Sequence, residues 1–218
     1  MNKPQIKICC ISSIEEAKLA INLGASALGL VGQMPSGPGI ISNELINKIA
    51  RSVPKDIDTF LLTSETEVAK IVNHYSKVNT TTIQIVDELT KGTYAELKYV
   101  LPHIKIVQVL HVINENSIEE AIKISKYVDA ILLDSGNPNL STKELGGTGR
   151  IHNWEISEEI VKNVKIPVYL AGGLNPNNAF QAIKKVKPYG LDLCSGVRTN
   201  GNLDSAKLTA FFKAIHNN

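Results

Sequence analysis

Eight short apolar runs, each followed by a stretch with helical spacing, divide this chain from one end to the other. The runs cover residues 6–11, 27–31, 59–62, 81–85, 104–110, 130–133, 167–170 and 191–194. Helix-period stretches include 14–23, 45–50, 68–74, 118–127, 179–186 and 203–215. Ser13 before Glu15 and Glu16, and Ser117 before Glu119 and Glu120, read as helix caps with acidic first turns. Short β-branched runs alternating with helices predict parallel strands buried beneath a helical layer. Eight repeats with no break in composition predict an α/β fold, a single-domain (β/α)8 TIM barrel over residues 1–218. A doubly wound open sheet would carry its dominant glycine loop after the first strand, and Cys9-Cys10-Ile11-Ser12 contains no glycine.

Three glycine-bearing turns punctuate the second half: Gly146-Gly147-Thr148-Gly149, Ala171-Gly172-Gly173-Leu174 and Cys194-Ser195-Gly196-Val197. Without a Cβ, glycine lets backbone N–H groups approach an anion closely. Turns of this kind leaving consecutive parallel strands build the phosphate site of many barrels. The backbone of Gly147, Gly149, Gly172, Gly173 and Gly196 and the Ser195 hydroxyl are therefore candidate phosphate ligands. The competing reading is that these glycines only permit tight turns.

The bulk numbers exclude several classes. A net charge of +2, with Arg51, Arg150 and Arg198 as the arginines, argues against nucleic acid as a partner. The apolar runs are far shorter than the ~20 residues that span a bilayer, so no membrane association is expected. The amino terminus lacks a signal-peptide core, and three cysteines, two of them adjacent, predict free thiols in a cytoplasmic protein. No C-x-x-C pair or histidine spacing suggests a metal, and none is expected. Among the histidines only His111 ends a strand-like run, which makes it a candidate lining residue.

The motifs taken together resemble the phosphoribosylanthranilate isomerase family. The resemblance rests on Lys7-Ile8-Cys9, on Gly24 to Gly29, and on Ile131-Leu132-Leu133-Asp134-Ser135. It continues through Gly146 to Gly149, Asn153-Trp154, Leu170 to Pro176 and Asp192 to Val197, in order along the whole chain. It implies an Amadori rearrangement of an N-aryl ribosylamine phosphate, with Asp134 as general acid and Cys9 as general base. An aspartate can serve as an acid near neutral pH only if its pKa is raised, and a thiol base needs nearby positive potential. The resemblance implies no cofactor, a phosphorylated small-molecule substrate, and either a monomer or a homodimer. Lys7, Gln84, Asp192 and Arg198 fall where they would line the substrate pocket, although Asp192 is equally suited to buried structural hydrogen bonding. Trp154 reads as a packing residue at the start of the sixth helix. Cys10, one residue beyond Cys9 in an extended run, is expected to face the helices.

The chain departs from the family in three places. The loop after the second strand reads Pro35-Ser36-Gly37-Pro38-Gly39, without the arginine expected to meet the substrate's carboxylate. The fourth strand ends Gln84-Ile85-Val86-Asp87, which is expected to bring an acid toward an anionic substrate. The last strand leads into Val197-Arg198, and Arg198 or Arg150 is then the candidate replacement charge, with the Gly37–Gly39 turn as a backbone nest. These departures keep two other readings open: a barrel acting on a different phosphosugar, and a non-catalytic barrel that binds a phosphorylated metabolite.

Overall fold

The computed structural model describes residues 3–35, 37–136 and 149–216. Eight strands close a parallel barrel in sequence order: β1 (Gln5–Ile8), β2 (Ala27–Val31), β3 (Asp58–Thr63), β4 (Thr82–Ile85), β5 (Lys105–His111), β6 (Ala130–Asp134), β7 (Val168–Leu170) and β8 (Gly190–Leu193). Pairing of Ile8 with Leu28 on one side and Leu193 on the other closes the ring. Helices α1 (Ile14–Leu23), α2 (Asn43–Ser52), α3 (Val68–Tyr75), α4 (Tyr94–Val100), α5 (Asn116–Ile124), α6 (Trp154–Asn163), α7 (Ala179–Val186) and α8 (Ser205–His216) surround it. The expected barrel is the observed one.

Alternation along the strands separates two cores. Ile6, Ile8, Leu28, Leu30, Ile83, Ile85, Ile131, Leu133, Leu191 and Leu193 face the helices in the larger one. Ala27, Val31, Phe60, Leu62, Val107, Val109, Leu132 and Tyr169 fill the barrel interior, together with Cys9 and Cys10. Small residues on some interior positions make room for large ones on others. A Cβ on Gly29 would lie 2.8 Å from the Cys9 Sγ and 3.0 Å from the Lys7 Nζ, and one on Gly190 would lie 2.7 Å from the Tyr169 ring. Lys7, among the largest fully buried side chains of the described residues, therefore fits inside the barrel.

Four local expectations are corrected. The run predicted as 6–11 leaves the regular strand at Ile8: the Cys9 and Ile11 N–H groups still donate to Leu193 and Gly29, but Cys10 adopts a left-handed conformation with φ 62°. The Arg198 guanidinium donates to the carbonyls of Cys9 at 3.1 Å and Cys10 at 2.6 Å, where a longer ladder would otherwise satisfy them. Strand alternation thus ends before Cys10, whose side chain turns into the inner cluster rather than toward the helices. Ser117 does not cap α5: it lies inside the first turn, while the Asn114 side chain accepts from the Asn116 N–H at 3.0 Å. Residue 203 does not begin the last helix, since Leu203 pairs with Arg198 in a hairpin of β9 (Arg198–Thr199) and β10 (Asn202–Leu203). The seven-residue α4, not among the expected helices, starts at a capping box formed by Thr93 and Glu96. Ser13 caps α1 as expected, accepting from the Glu16 N–H.

Candidate active site

A cavity of about 720 Å³, counting its open mouth, lies at the carboxyl ends of the strands. Its two sides differ in chemistry. Val31, Met34, Leu62, Val86 and Val109, with Gly37 and Pro38 of the loop after β2, make an apolar wall. Opposite them, Gly149, Gly172, Gly173 and Ser195 bring three loops together behind β6, β7 and β8. Cys9, Asp134, Gln84 and Asp192 complete the lining. Asp134 and Asp192 are the charged residues among the described lining.

The glycine turns are held by tight contacts. Gly149, Gly172 and Gly173 have φ values of 69°, 80° and 63°, a region that side chains with a Cβ rarely enter. A Cβ on Gly173 would meet the Arg150 carbonyl carbon at 2.8 Å, and one on Gly196 would overlap the Leu174 carbonyl oxygen. Gly196 is thus required by packing of the last turn, the 3₁₀ segment Ser195–Val197, against the turn after β7. Gly147, predicted alongside them, lies outside the described residues, as does Ser36.

The interior charges form one set. The Lys7 Nζ is 2.9 Å from the Asp192 Oδ2 and 5.2 Å from the centre of the Phe60 ring. Burial opposes the Lys7 charge, but Asp192, Cys9 and Cys10 outweigh it and hold the ammonium above its ordinary pKa. Lys7 underlies the cavity rather than lining it, being fully buried. Asp134 is pushed above the usual carboxylate range by burial, against opposing help from the Ser135 N–H, His111 and Lys7. Burial likewise raises Asp192, with Lys7 pulling the other way. The Ser135 N–H donates to the Asp134 Oδ1 at 2.8 Å and fixes the carboxyl orientation. Two buried acceptors on this wall, Gln84 Oε1 and Asp192 Oδ1, have no hydrogen-bond partner among the described residues.

Arg198 does not reach the cavity. Its guanidinium pairs with Glu16 at 3.0 Å and donates to the carbonyls of Cys9, Cys10 and Gly201, behind the wall instead of in it. Arg198 is therefore a clamp on the segment that carries Cys9. Arg150 is exposed and also absent from the lining. Asp87 and His111 line a separate groove beside α4 and α5, so the acid after β4 does not face the first cavity. The sequence pattern missed Cys10 and Cys194 as lining residues, because neither lies within a paired strand. Among the described residues, no group of three or more His, Cys, Asp or Glu is placed to hold a metal ion. No described helix is long and apolar enough to cross a membrane.

Replacing Arg198 by Met takes the guanidinium from the Glu16 carboxylate and the Arg198 donor from the carbonyls of Cys9, Cys10 and Gly201. The expected cost is about 3 kcal/mol in unfolding free energy at pH 7, measured by denaturant titration. Burial raises the Glu16 pKa, but Arg198 and the N–H groups of Leu203 and Ser12 outweigh it and hold it below 4.5. A depressed carboxylate contributes its stability above the unfolded pKa and loses it as pH falls through the folded value. The gap between wild type and Arg198→Met therefore narrows in acid, below pH 4.5.

Comparison with known proteins gives a consistent picture. A family model described as N-(5'-phosphoribosyl)anthranilate (PRA) isomerase matches residues 6–214. N-(5'-phosphoribosyl)anthranilate isomerase 2 of Methanosarcina mazei is 36% identical over 215 residues, spanning 98% of this chain and 94% of its own. The isomerase of Nostoc punctiforme is 32% identical over 213 residues, spanning 97% and 98%. The solved phosphoribosyl anthranilate isomerase of Thermotoga maritima matches with a TM-score of 0.80 and 27% identity, covering 98% of this chain and 99% of that one. Another such isomerase, solved with reduced 1-(o-carboxyphenylamino)-1-deoxyribulose 5-phosphate, matches with a TM-score of 0.78 and 25% identity over 98% and 99%.

Proposed function

The chain belongs to the phosphoribosylanthranilate isomerase family and is an isomerase of N-(5'-phosphoribosyl)anthranilate; we propose that Cys9 and Asp134 carry out its two proton transfers. The observation behind this assignment is that a thiol and a carboxyl with a raised pKa line one cavity beside three glycine turns. The protonated Asp134 donates to the furanose ring oxygen, the C1′–O bond breaks, and a protonated Schiff base forms. Cys9, as thiolate, removes the C2′ proton to give an enolamine. Gain of a proton at C1′ and loss of one from the 2′-hydroxyl complete the ketone. The leftover acceptors on Gln84 and Asp192 suit the ribose hydroxyls, which are donors without other partners in a closed site.

The turns at Gly149, Gly172–Gly173 and Ser195–Gly196 hold the phosphate, with the Ser195 hydroxyl as an added donor. The aryl ring then lies toward Val31, Met34, Leu62 and Val86. A neutral Asp134 also spares an anionic substrate one nearby charge. The test is product formation from N-(5'-phosphoribosyl)anthranilate, followed by chromatography against the spontaneous rate. The folded chain is expected to convert substrate to the 1-deoxyribulose 5-phosphate. Folded protein that leaves substrate at the background rate at saturating concentration contradicts the assignment.

A further inference from the structure

Two of the three cysteines have no part in the reaction just described, yet both lie on the cavity wall. The Cys10 Sγ and the Cys194 Sγ are 2.8 Å apart, across 184 residues of chain. The contact follows from the barrel closure: Ile8 pairs with Leu193, and the Cys9 N–H donates to the Leu193 carbonyl at 2.7 Å. The residues just past the ends of β1 and β8 are thereby held side by side. The Arg198 hydrogen bonds and the positive φ of Cys10 then turn its side chain toward Cys194.

We propose that Cys10 and Cys194 form a dithiol–disulfide site on the cavity wall, oxidised by exchange with a low-molecular-weight disulfide and reset by a dithiol. Cys194, partly exposed, attacks first as thiolate on one sulfur of the small disulfide. One small thiolate leaves, and Cys194 carries a mixed disulfide. Cys10 then attacks the Cys194 Sγ, its proton passes to the second departing thiolate, and the Cys10–Cys194 bond forms. Two protein thiols are oxidised and one small disulfide is reduced to two thiols. The division of labour has an electrostatic basis. The hydrogen bond from Cys10, with Arg198 nearby, holds Cys194 below the usual thiol range despite its burial. Hydrogen bonds to Cys194 and Cys9, with burial, push Cys10 up.

Bond formation draws the sulfurs together by roughly 0.8 Å, since a disulfide is about 2.05 Å long. Cys10 directly follows Cys9 and also contacts the Pro38 carbonyl oxygen at 3.6 Å through its sulfur. The tie therefore pulls on the segment carrying Cys9 and on the loop that lines the cavity. A displacement of about 1 Å at reacting groups can cost as much as 10²-fold in rate.

The experiment treats the full chain with oxidised glutathione and with dithiothreitol, then maps its thiols by mass spectrometry without reduction. The expected map joins Cys10 to Cys194 and leaves Cys9 open to iodoacetamide. Isomerase activity of the linked form is expected to fall about tenfold or more, and dithiothreitol restores it. In Cys194→Ser and in Cys10→Gly, whose glycine suits the positive φ, oxidised glutathione is expected to yield no crosslink. Cys194→Ser, which lacks the attacking thiol, should then be equally active with and without the oxidant, whereas Cys10→Gly should stop at a Cys194–glutathione mixed disulfide that lowers activity until dithiothreitol removes it. Mapping reads the linkage whether or not the assigned substrate turns over, so the two readings fail separately. In the unsubstituted chain, a Cys9–Cys10 link, a mixed disulfide that never resolves, or a linked form as active as the dithiol overturns the proposal.

Discussion

Asp134→Asn lowers kcat by about 10²–10⁴-fold while leaving the folded chain as stable as wild type or more so. The activity loss follows from the proposed role, since an amide does not protonate the ring oxygen. The stability gain follows from burial. Asp134 has a folded pKa above its ordinary 3.8, so its ionised form costs free energy at every pH above the folded value. An asparagine carries no such charge, and its Oδ1 still accepts from the Ser135 N–H. Denaturant titration at pH 7 and steady-state kinetics on the same preparation check both halves. Cys9→Ala is expected to match the kinetic loss, and the double variant to lose little more, because the two groups act in one sequence of steps. An Asp134→Asn enzyme within tenfold of wild type excludes the carboxyl as the acid.

Lys7→Met is expected to cost about 3–5 kcal/mol of unfolding free energy, read from the shift in denaturant midpoint. The substitution keeps the volume of the stem but removes the ammonium 2.9 Å from the Asp192 carboxylate, leaving a buried charge without its partner. Combining it with Asp192→Leu should recover most of that stability, because both charges are then gone from the interior. Activity should not return with it, since Asp192 lines the cavity and offers an acceptor there. Recovery of both properties together would make the ion pair a packing device with no part in the site. The same pair has an alkaline signature. The raised Lys7 pKa contributes stability that is complete below the unfolded value and lost as pH climbs through the folded one, above 10.5.

Much of this architecture could be read from residue order. Period-two alternation in Ile6-Lys7-Ile8-Cys9 placed Cys9 inside the barrel, and the end of β6 at Asp134 placed the carboxyl on the same mouth. The positions of Gly149, Gly172, Gly173 and Ser195 on one cavity wall were legible for the same reason, as strand ends dictate loop positions. Long-range compensation was not legible. Nothing near Arg198 announces that its partner is Glu16, 182 residues away, or that it caps the carbonyls after β1. The conformation of Cys10 depends on those bonds, so strand alternation does not give its side-chain direction. Asn114 displaced Ser117 as the start of α5 because several residues there can satisfy a first turn equally well. The loop after β2, where the family resemblance implies an arginine, contributes Gly37 and Pro38 to the wall and no charge among the described residues.

A crystal structure of the chain with reduced 1-(o-carboxyphenylamino)-1-deoxyribulose 5-phosphate tests the central assignment most directly. The account predicts phosphate oxygens on the turns at Gly149, Gly172–Gly173 and Ser195–Gly196, with the sugar carbons between the Cys9 sulfur and the Asp134 carboxyl. A phosphate bound at the Gly37–Pro38 end, or a ligand chain that passes neither group within hydrogen-bond reach, would contradict it.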